Sequence, residues 1–164
     1  MINVSLAIFL LVFAVAVNSV SVYAQKKYGF YNRFGSNNFL IHSLVITPLW
    51  ILFLYASVHL SSNPLNPNDK LKLLGVLGII ISLVIFTVSI RQLGSQALSN
   101  GIFFGKSKVT HAGIYQYLND PIYDSYVLAT MSIGLFTQNA NYFPIAAALW
   151  VLLKIESLIE QPTN

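Results

Sequence analysis

Five apolar runs separated by short polar stretches constrain this chain more than any other feature of its sequence. They lie at about residues 5–23, 39–60, 71–93, 122–137 and 142–159. A run of about 20 apolar residues is the length that crosses a bilayer's hydrocarbon as a helix. Inside lipid every backbone N–H and C=O must be paired within the protein, which a helix does by itself. With 55% hydrophobic residues, 9% charged residues and a mean hydropathy of +0.67, the chain is too apolar and too weakly charged for a soluble domain of its size. The expectation is an all-α, polytopic integral membrane helical bundle of about five apolar segments, ending in a helical hairpin. It forms a single transmembrane domain over 1–164, with an interfacial connector over 94–121.

The first run is read as a retained helix. No Lys or Arg precedes it, whereas a signal peptide opens with positive charge. Pro48 predicts a kink in the second run, and His42 and His59 near its ends are expected at membrane boundaries. Residues 61–69 hold two prolines among asparagines and serines and predict a turn. The fourth run is short for a crossing, so a tilted, a re-entrant or a snorkelling segment all remain open.

Asp69, Asp120, Asp124, Glu156 and Glu160 are the only acids, so the net charge of +4 reflects missing acids and gives no nucleic-acid footprint. There is no cysteine, and the three histidines have no metal-ligand spacing, so neither a disulfide nor a metal is expected. Lys26, Lys27 and Arg33 follow the first run, while Arg91, Lys106 and Lys108 follow the third, two crossings later. The positive-inside rule makes that shared side cytosolic. The opposite loop carries Lys70 and Lys72 beside Asp69. The sequence leaves homo-oligomerisation open.

The polar island Tyr115-Gln116-Tyr117-Leu118-Asn119-Asp120-Pro121-Ile122-Tyr123 is followed by the last two apolar runs, joined through Gln138-Asn139-Ala140-Asn141. A helical hairpin returns Glu160 to the face where Asn119 lies. Scarce ionisable groups that converge at a membrane boundary are candidates for binding or chemistry. Each also has a plainer reading. Asn119 or Asp120 can cap the helix after Pro121. Glu156 and Glu160, one turn apart, can be exposed end-of-helix residues, although acids there oppose the helix dipole and call for a cationic partner, Lys154 or a ligand. Lys106 and Lys108 suit either a lipid phosphate or simple topology marking. Phe103, Phe104, Tyr115 and Tyr117 suit an interfacial anchor. Arg91 suits a cofactor carboxylate, a lipid phosphate or snorkelling.

Three blocks carry a resemblance: Lys108-Val109-Thr110, then Tyr117-Leu118-Asn119-Asp120-Pro121-Ile122-Tyr123, then Ile159-Glu160-Gln161-Pro162. Together they resemble the phospholipid N-methyltransferase family, whose members carry R-V-T, then L-D-N-P-M-Y, and end in E-E-P. More distantly, Gly113 to Tyr123 is similar to the G-x-Y-x-x-x-R-H-P-x-Y pattern of isoprenylcysteine carboxyl methyltransferases, with Asn-Asp in place of Arg-His. The resemblance covers about the last 75 residues. It departs at Asp124-Ser125, where the family has glycine in a stretch that approaches the cofactor, and at Gln161, where it has a second glutamate.

The resemblance implies a membrane methyltransferase that uses S-adenosylmethionine and a lipid substrate drawn from the bilayer. The implied acceptor is the amine of phosphatidylethanolamine or its partly methylated derivatives. Glu160, Gln161, Glu156, Pro121, Ser125 and Arg91 are the implied cofactor-binding residues, and Lys106, Lys108 and Tyr117 the implied headgroup contacts. A carboxylate suits the cofactor's ammonium or ribose hydroxyls. The lipid amine must lose a proton to become a nucleophile, and Asp120 is the only carboxylate inside the motif; Asn119 and Tyr123 orient groups by hydrogen bonding. A non-catalytic relative and an isoprenylcysteine carboxyl methyltransferase-like enzyme stand as alternatives. The implied location is the endoplasmic reticulum membrane in a eukaryote or the inner membrane in a bacterium. Neither a catalytic Ser-His-Asp arrangement nor a phosphate loop appears, which removes hydrolase and nucleotidase readings.

Overall fold

The structure, a computed structural model, describes residues 1–94, 104 and 112–160, with only the backbone of Glu160. Five α-helices account for most of these: α1 (Val4–Tyr28), α2 (Asn38–Val58), α3 (Asp69–Leu93), α4 (Pro121–Thr137) and α5 (Tyr142–Glu160). Short 3-10 segments cover Phe30–Asn37 and Gly113–Gln116. No β-strand occurs among the described residues, so the all-α expectation holds.

The helix ends follow local chemistry. Asn3 accepts from the Leu6 amide to start α1, and Gly29, at φ +58°, closes it in the left-handed conformation that glycine adopts without strain. Asn68 caps α3 by accepting from Lys70 and Leu71. α2 runs unbroken through Pro48. Segments Val4–Tyr28, Phe30–Val58, Asp69–Leu93 and Tyr142–Ile159 are long and apolar enough to cross a membrane. α4, with 17 residues, extends about 25 Å, short of a hydrocarbon core of about 30 Å.

The order of neighbours is α2, α1, α5, α4, α3. Leu11 and Val15 of α1, Phe53 of α2, and Ile145, Leu149 and Leu153 of α5 form the apolar core. The outside is as apolar as the inside: Leu73, Leu77, Ile81 and Val84 of α3 and Leu44, Ile51 and Leu54 of α2 are exposed. Such a surface belongs in lipid, and together with the spanning helices it makes this an integral membrane protein.

At one end of the bundle the chain clasps itself. Ile2 donates to the His59 carbonyl and accepts from Ser61, while Leu65 donates to the Gln138 carbonyl and Ala140 to that of Asn63, all at 2.8 Å. Gln138 holds a left-handed φ of 53° there, and its side chain donates to the Asn68 carbonyl. The α4–α5 turn is thereby fixed to the loop before α3. The opposite end holds the α1–α2 connection, Arg91, the Asn119 turn and the end of α5.

α3 and α4 meet through small residues, as membrane helices do when packing replaces the hydrophobic effect. A Cβ placed on Gly75 would lie 2.5 Å from the Phe136 nitrogen and 2.8 Å from the Ser132 carbonyl oxygen, both backbone atoms that cannot rotate away. Gly75→Leu is therefore expected to force these helices apart and lower stability by about 1–3 kcal/mol. Thermal unfolding in detergent micelles, with the exposed Ile81→Leu as control, checks this; an unchanged midpoint for Gly75→Leu contradicts the packing described.

Candidate functional site

Asp120 stands in the capping position before α4, and Pro121 takes the first helical position, where its fixed φ suits a helix start. The Asp120 carboxylate nevertheless makes no capping bond. It turns to α5, where its Oδ2 accepts from the Ser157 hydroxyl at 2.8 Å and meets Lys154 Nζ at 3.4 Å. Asp124, one turn along α4, lies 3.6 Å from the same Lys154. Asp120 at the cap of α4 and Asp124 four residues on thus face two residues three apart on α5, so one helix face engages another. The side chains of Asp120, Asp124 and Lys154 are 27%, 31% and 40% exposed, leaving the cluster reachable from water. Ion pairs this open contribute at most about 1 kcal/mol, so the fold does not depend on them for stability.

Glu156 behaves differently. Buried residues of α5 recur at Ile145, Leu149, Leu153 and Glu156, the spacing of a single helix face, so the period that buries the leucines buries this glutamate too. Its Oε1 accepts from the Asn18 amide of α1. The expectation that Lys154 serves as the cation for Glu156 is therefore corrected: Lys154 points to α4, and Glu156 to α1. The expectation of Glu156 as an exposed end-of-helix residue is corrected for the same reason.

Asn18 opens a polar continuation of the α1 core stripe. Ala7, Leu11 and Val15 are apolar; Asn18, Ser21 and Gln25 continue the same buried face with polar groups. The Ser21 hydroxyl lies 2.6 Å from the Tyr31 hydroxyl and 2.9 Å from His42 Nδ1. Gln25 accepts from the Tyr31 amide and donates to Asn32. His42, expected near the end of its apolar run, is fully buried within the bundle one turn into α2. Nothing singled out Asn18, Ser21, Gln25 or Ser157 in the sequence, although polar residues at spacings of three and four on an otherwise apolar helix are a readable signal.

The remaining candidates divide. Asn119 is exposed in the turn beside Asp120, and Tyr117 is exposed as well. Pro121 is buried. Tyr123 is partly buried and packs against the apolar core. Ser125 is buried on the α3 side of α4, donating to the Ile122 carbonyl and lining a groove with Ser82 and Phe86. Arg91 is exposed at the end of an apolar groove of about 380 Å³ along α3, lined also by Leu83 and Thr87. Lys26 donates to the Ile159 carbonyl at 3.3 Å, tying the end of α1 to the end of α5. Glu160 closes α5, its side chain outside what is described; Gln161, Lys106 and Lys108 lie outside the described residues. Burial, reinforced by the charge of Asp120, pushes the Tyr115 hydroxyl up to about 12, so it works near neutrality as a hydrogen-bonding group and not as a base. No cluster of three or more His, Cys, Asp or Glu fit to hold a metal occurs among the described residues.

Glu156→Gln keeps an acceptor for the Asn18 amide and is expected to leave thermal stability nearly unchanged, whereas Glu156→Leu removes the buried Oε1 acceptor of that hydrogen bond and costs about 1–3 kcal/mol. Melting both variants in the same detergent checks this, and equal midpoints contradict it.

Residues 71–163, more than half of the chain, match the family model described as phospholipid methyltransferase. No curated protein and no solved structure gives a match.

Proposed function

The chain belongs to the phospholipid methyltransferase family, and on that premise we propose that it transfers a methyl group from S-adenosylmethionine to the amine of phosphatidylethanolamine or of its partly methylated derivatives. The observation that carries this reading is the cluster of Asp120, Asp124, Lys154 and Ser157, where the turn before α4 meets the last turns of α5. Those are the two places at which the family's motif and its terminal glutamates fall.

The residues fit the cofactor by chemistry. An amino-acid group needs a cation for its carboxylate and an anion for its ammonium, and Lys154 between two aspartates offers both in one partly exposed patch. Glu160, by its position at the end of α5, is a further carboxylate for the ammonium or the ribose hydroxyls. Asn119 and Arg91 border the same end of the bundle. When bound, S-adenosylmethionine supplies an electrophilic methyl group on a sulfonium.

The protein's own work is alignment and proton removal. Asp120 Oδ2 is engaged by Ser157 and Lys154, while Oδ1 has no hydrogen bond among the described residues. We assign Oδ1 the ammonium proton, taken directly or through water. Ser157 and Lys154 hold the carboxylate in position for it. Tyr123 packs against the core, so its proposed orienting role passes through the position of the α4 start. Lys26, Lys27, Arg33 and Arg91 share this end, and we propose by the positive-inside rule that it faces the cytosol. The reading places the protein in the endoplasmic reticulum membrane of a eukaryote or the inner membrane of a bacterium.

Transfer of labelled methyl from S-adenosylmethionine to phosphatidylethanolamine in reconstituted bilayers tests the proposal. Wild type is expected to methylate the lipid, and Asp120→Asn to lower kcat by roughly 10²–10⁴-fold, as removal of a general base does. Folded wild-type protein that transfers no methyl would instead make the chain a non-catalytic member of the family.

A further inference from the structure

We propose that His42, set by Ser21 and Tyr31, is a binding site for an acceptor oxygen of a membrane phospholipid. The proposal takes the identity of the lipid from the function proposed above; the binding itself requires no methyl transfer.

The imidazole of His42 is 0% exposed, and its Nε2 has no hydrogen-bond partner among the described residues. A buried polar atom left unpaired is costly, and a few per domain at most are tolerated without a purpose. The hydrogen-bond chain decides what Nε2 offers. Tyr31, Ser21 and His42 lie in a row with two contacts between them and one hydrogen atom each. If Tyr31 donates to Ser21 and Ser21 to Nδ1, both hydroxyls are satisfied and the imidazole proton sits on Nε2, the one group left over. If Nδ1 carries the proton, the Nε2 lone pair is stranded and a hydroxyl hydrogen is stranded as well. The first arrangement leaves fewer buried groups unpaired, so Nε2–H is a donor and its missing partner is an acceptor oxygen.

The surroundings select the source of that oxygen. Rings of Phe104 at 5.0 Å and Tyr31 at 5.4 Å stand against the imidazole, and Phe39 packs on Phe104 at 5.7 Å. Phe104 offers Nε2–H no more than a weak contact with its π face. An isolated water needs two to four polar partners and finds few among these rings. A ligand that brings its own apolar body and one oxygen suits them better. His42 is the fifth residue of α2, about 6 Å below the helix start, and that start follows the Arg33-bearing segment at the end of the bundle. With the bilayer surface at that segment, this is the depth of phosphates and glycerol esters, between headgroup and hydrocarbon. The lipid reaches Nε2 by displacing the Phe104 ring.

Phosphodiester and ester carbonyl oxygens share the required chemistry, and ligands separate them. Protein labelled with ¹⁵N at histidine, held in a non-phospholipid detergent, is titrated with dihexanoyl phosphatidylethanolamine or with dihexanoylglycerol while the imidazole nitrogens are followed by NMR. Lipid-free protein should show His42 protonated at Nε2. Saturable movement of the Nε2 signal with the phospholipid alone assigns the phosphodiester, and movement with both ligands assigns the ester. His42→Gln, which keeps a donor near Nε2, should retain phospholipid binding, and His42→Leu should weaken it roughly tenfold. A proton on Nδ1, or an Nε2 signal unmoved by either ligand, overturns the proposal even if His42→Leu fails to fold. An unmoved signal in an enzyme that still methylates lipid would refute this site alone; a moved signal without methyl transfer would refute only the proposed function.

Discussion

The hydrogen bond from Asn18 to Glu156 sets the register on which the rest of the molecule depends. Helices in lipid gain little from the hydrophobic effect between them, so packing and buried polar pairs decide how they dock. Along α1 the face toward α5 is apolar through Val15 and polar from Asn18 onward, and Glu156 meets it at the change. One residue beyond Glu156, about 100° round the helix, Ser157 reaches Asp120, and Lys154 lies on the same side. Rotation of α5 that freed Glu156 from α1 would carry Ser157 and Lys154 away from α4. The clasp of Asn63, Leu65, Gln138 and Ala140 fixes the other end of the hairpin, so neither leg slides.

The fold class was legible because lipid punishes alternatives: apolar runs of spanning length leave helices as the economical solution. The hairpin from α4 to α5 and the meeting of Asp120 with the end of α5 were also legible, since a turn between two runs of similar length returns the chain to its starting level. Rotational positions were harder to read. Glu156 and Ser157 are adjacent in sequence yet serve different neighbours, and only the order α2, α1, α5, α4, α3 tells which face meets which helix. Ser125, four residues beyond the start of the motif's helix, turns to α3 for the same reason. His42 read as a boundary residue from its place near the end of an apolar run. Its burial depends on Ser21 and Tyr31, brought together by the Gly29 turn, and no local pattern encodes that meeting.

The two polar regions divide between the halves of the chain. The family match begins at Leu71, so the Asp120 cluster lies inside it while Asn18, Ser21, Tyr31 and His42 lie before it. α5 touches both: Glu156 joins the α1 seam and Lys154 the α4 cluster, one turn of helix or less apart. A ligand that ordered either region would act on a helix shared with the other. This arrangement suits the proposed function, in which a water-soluble donor and a membrane-held acceptor are brought to one level of the bilayer.

In the proposed function, the end of α5 and the turn before α4 together hold a methyl donor. Calorimetric titration of S-adenosylhomocysteine into purified, folded protein, comparing wild type with Asn119→Ala and Glu160→Ala, tests it most directly. Saturable binding to wild type, weakened in both variants, is expected. Absence of binding to wild type, or binding indifferent to both substitutions, would contradict it.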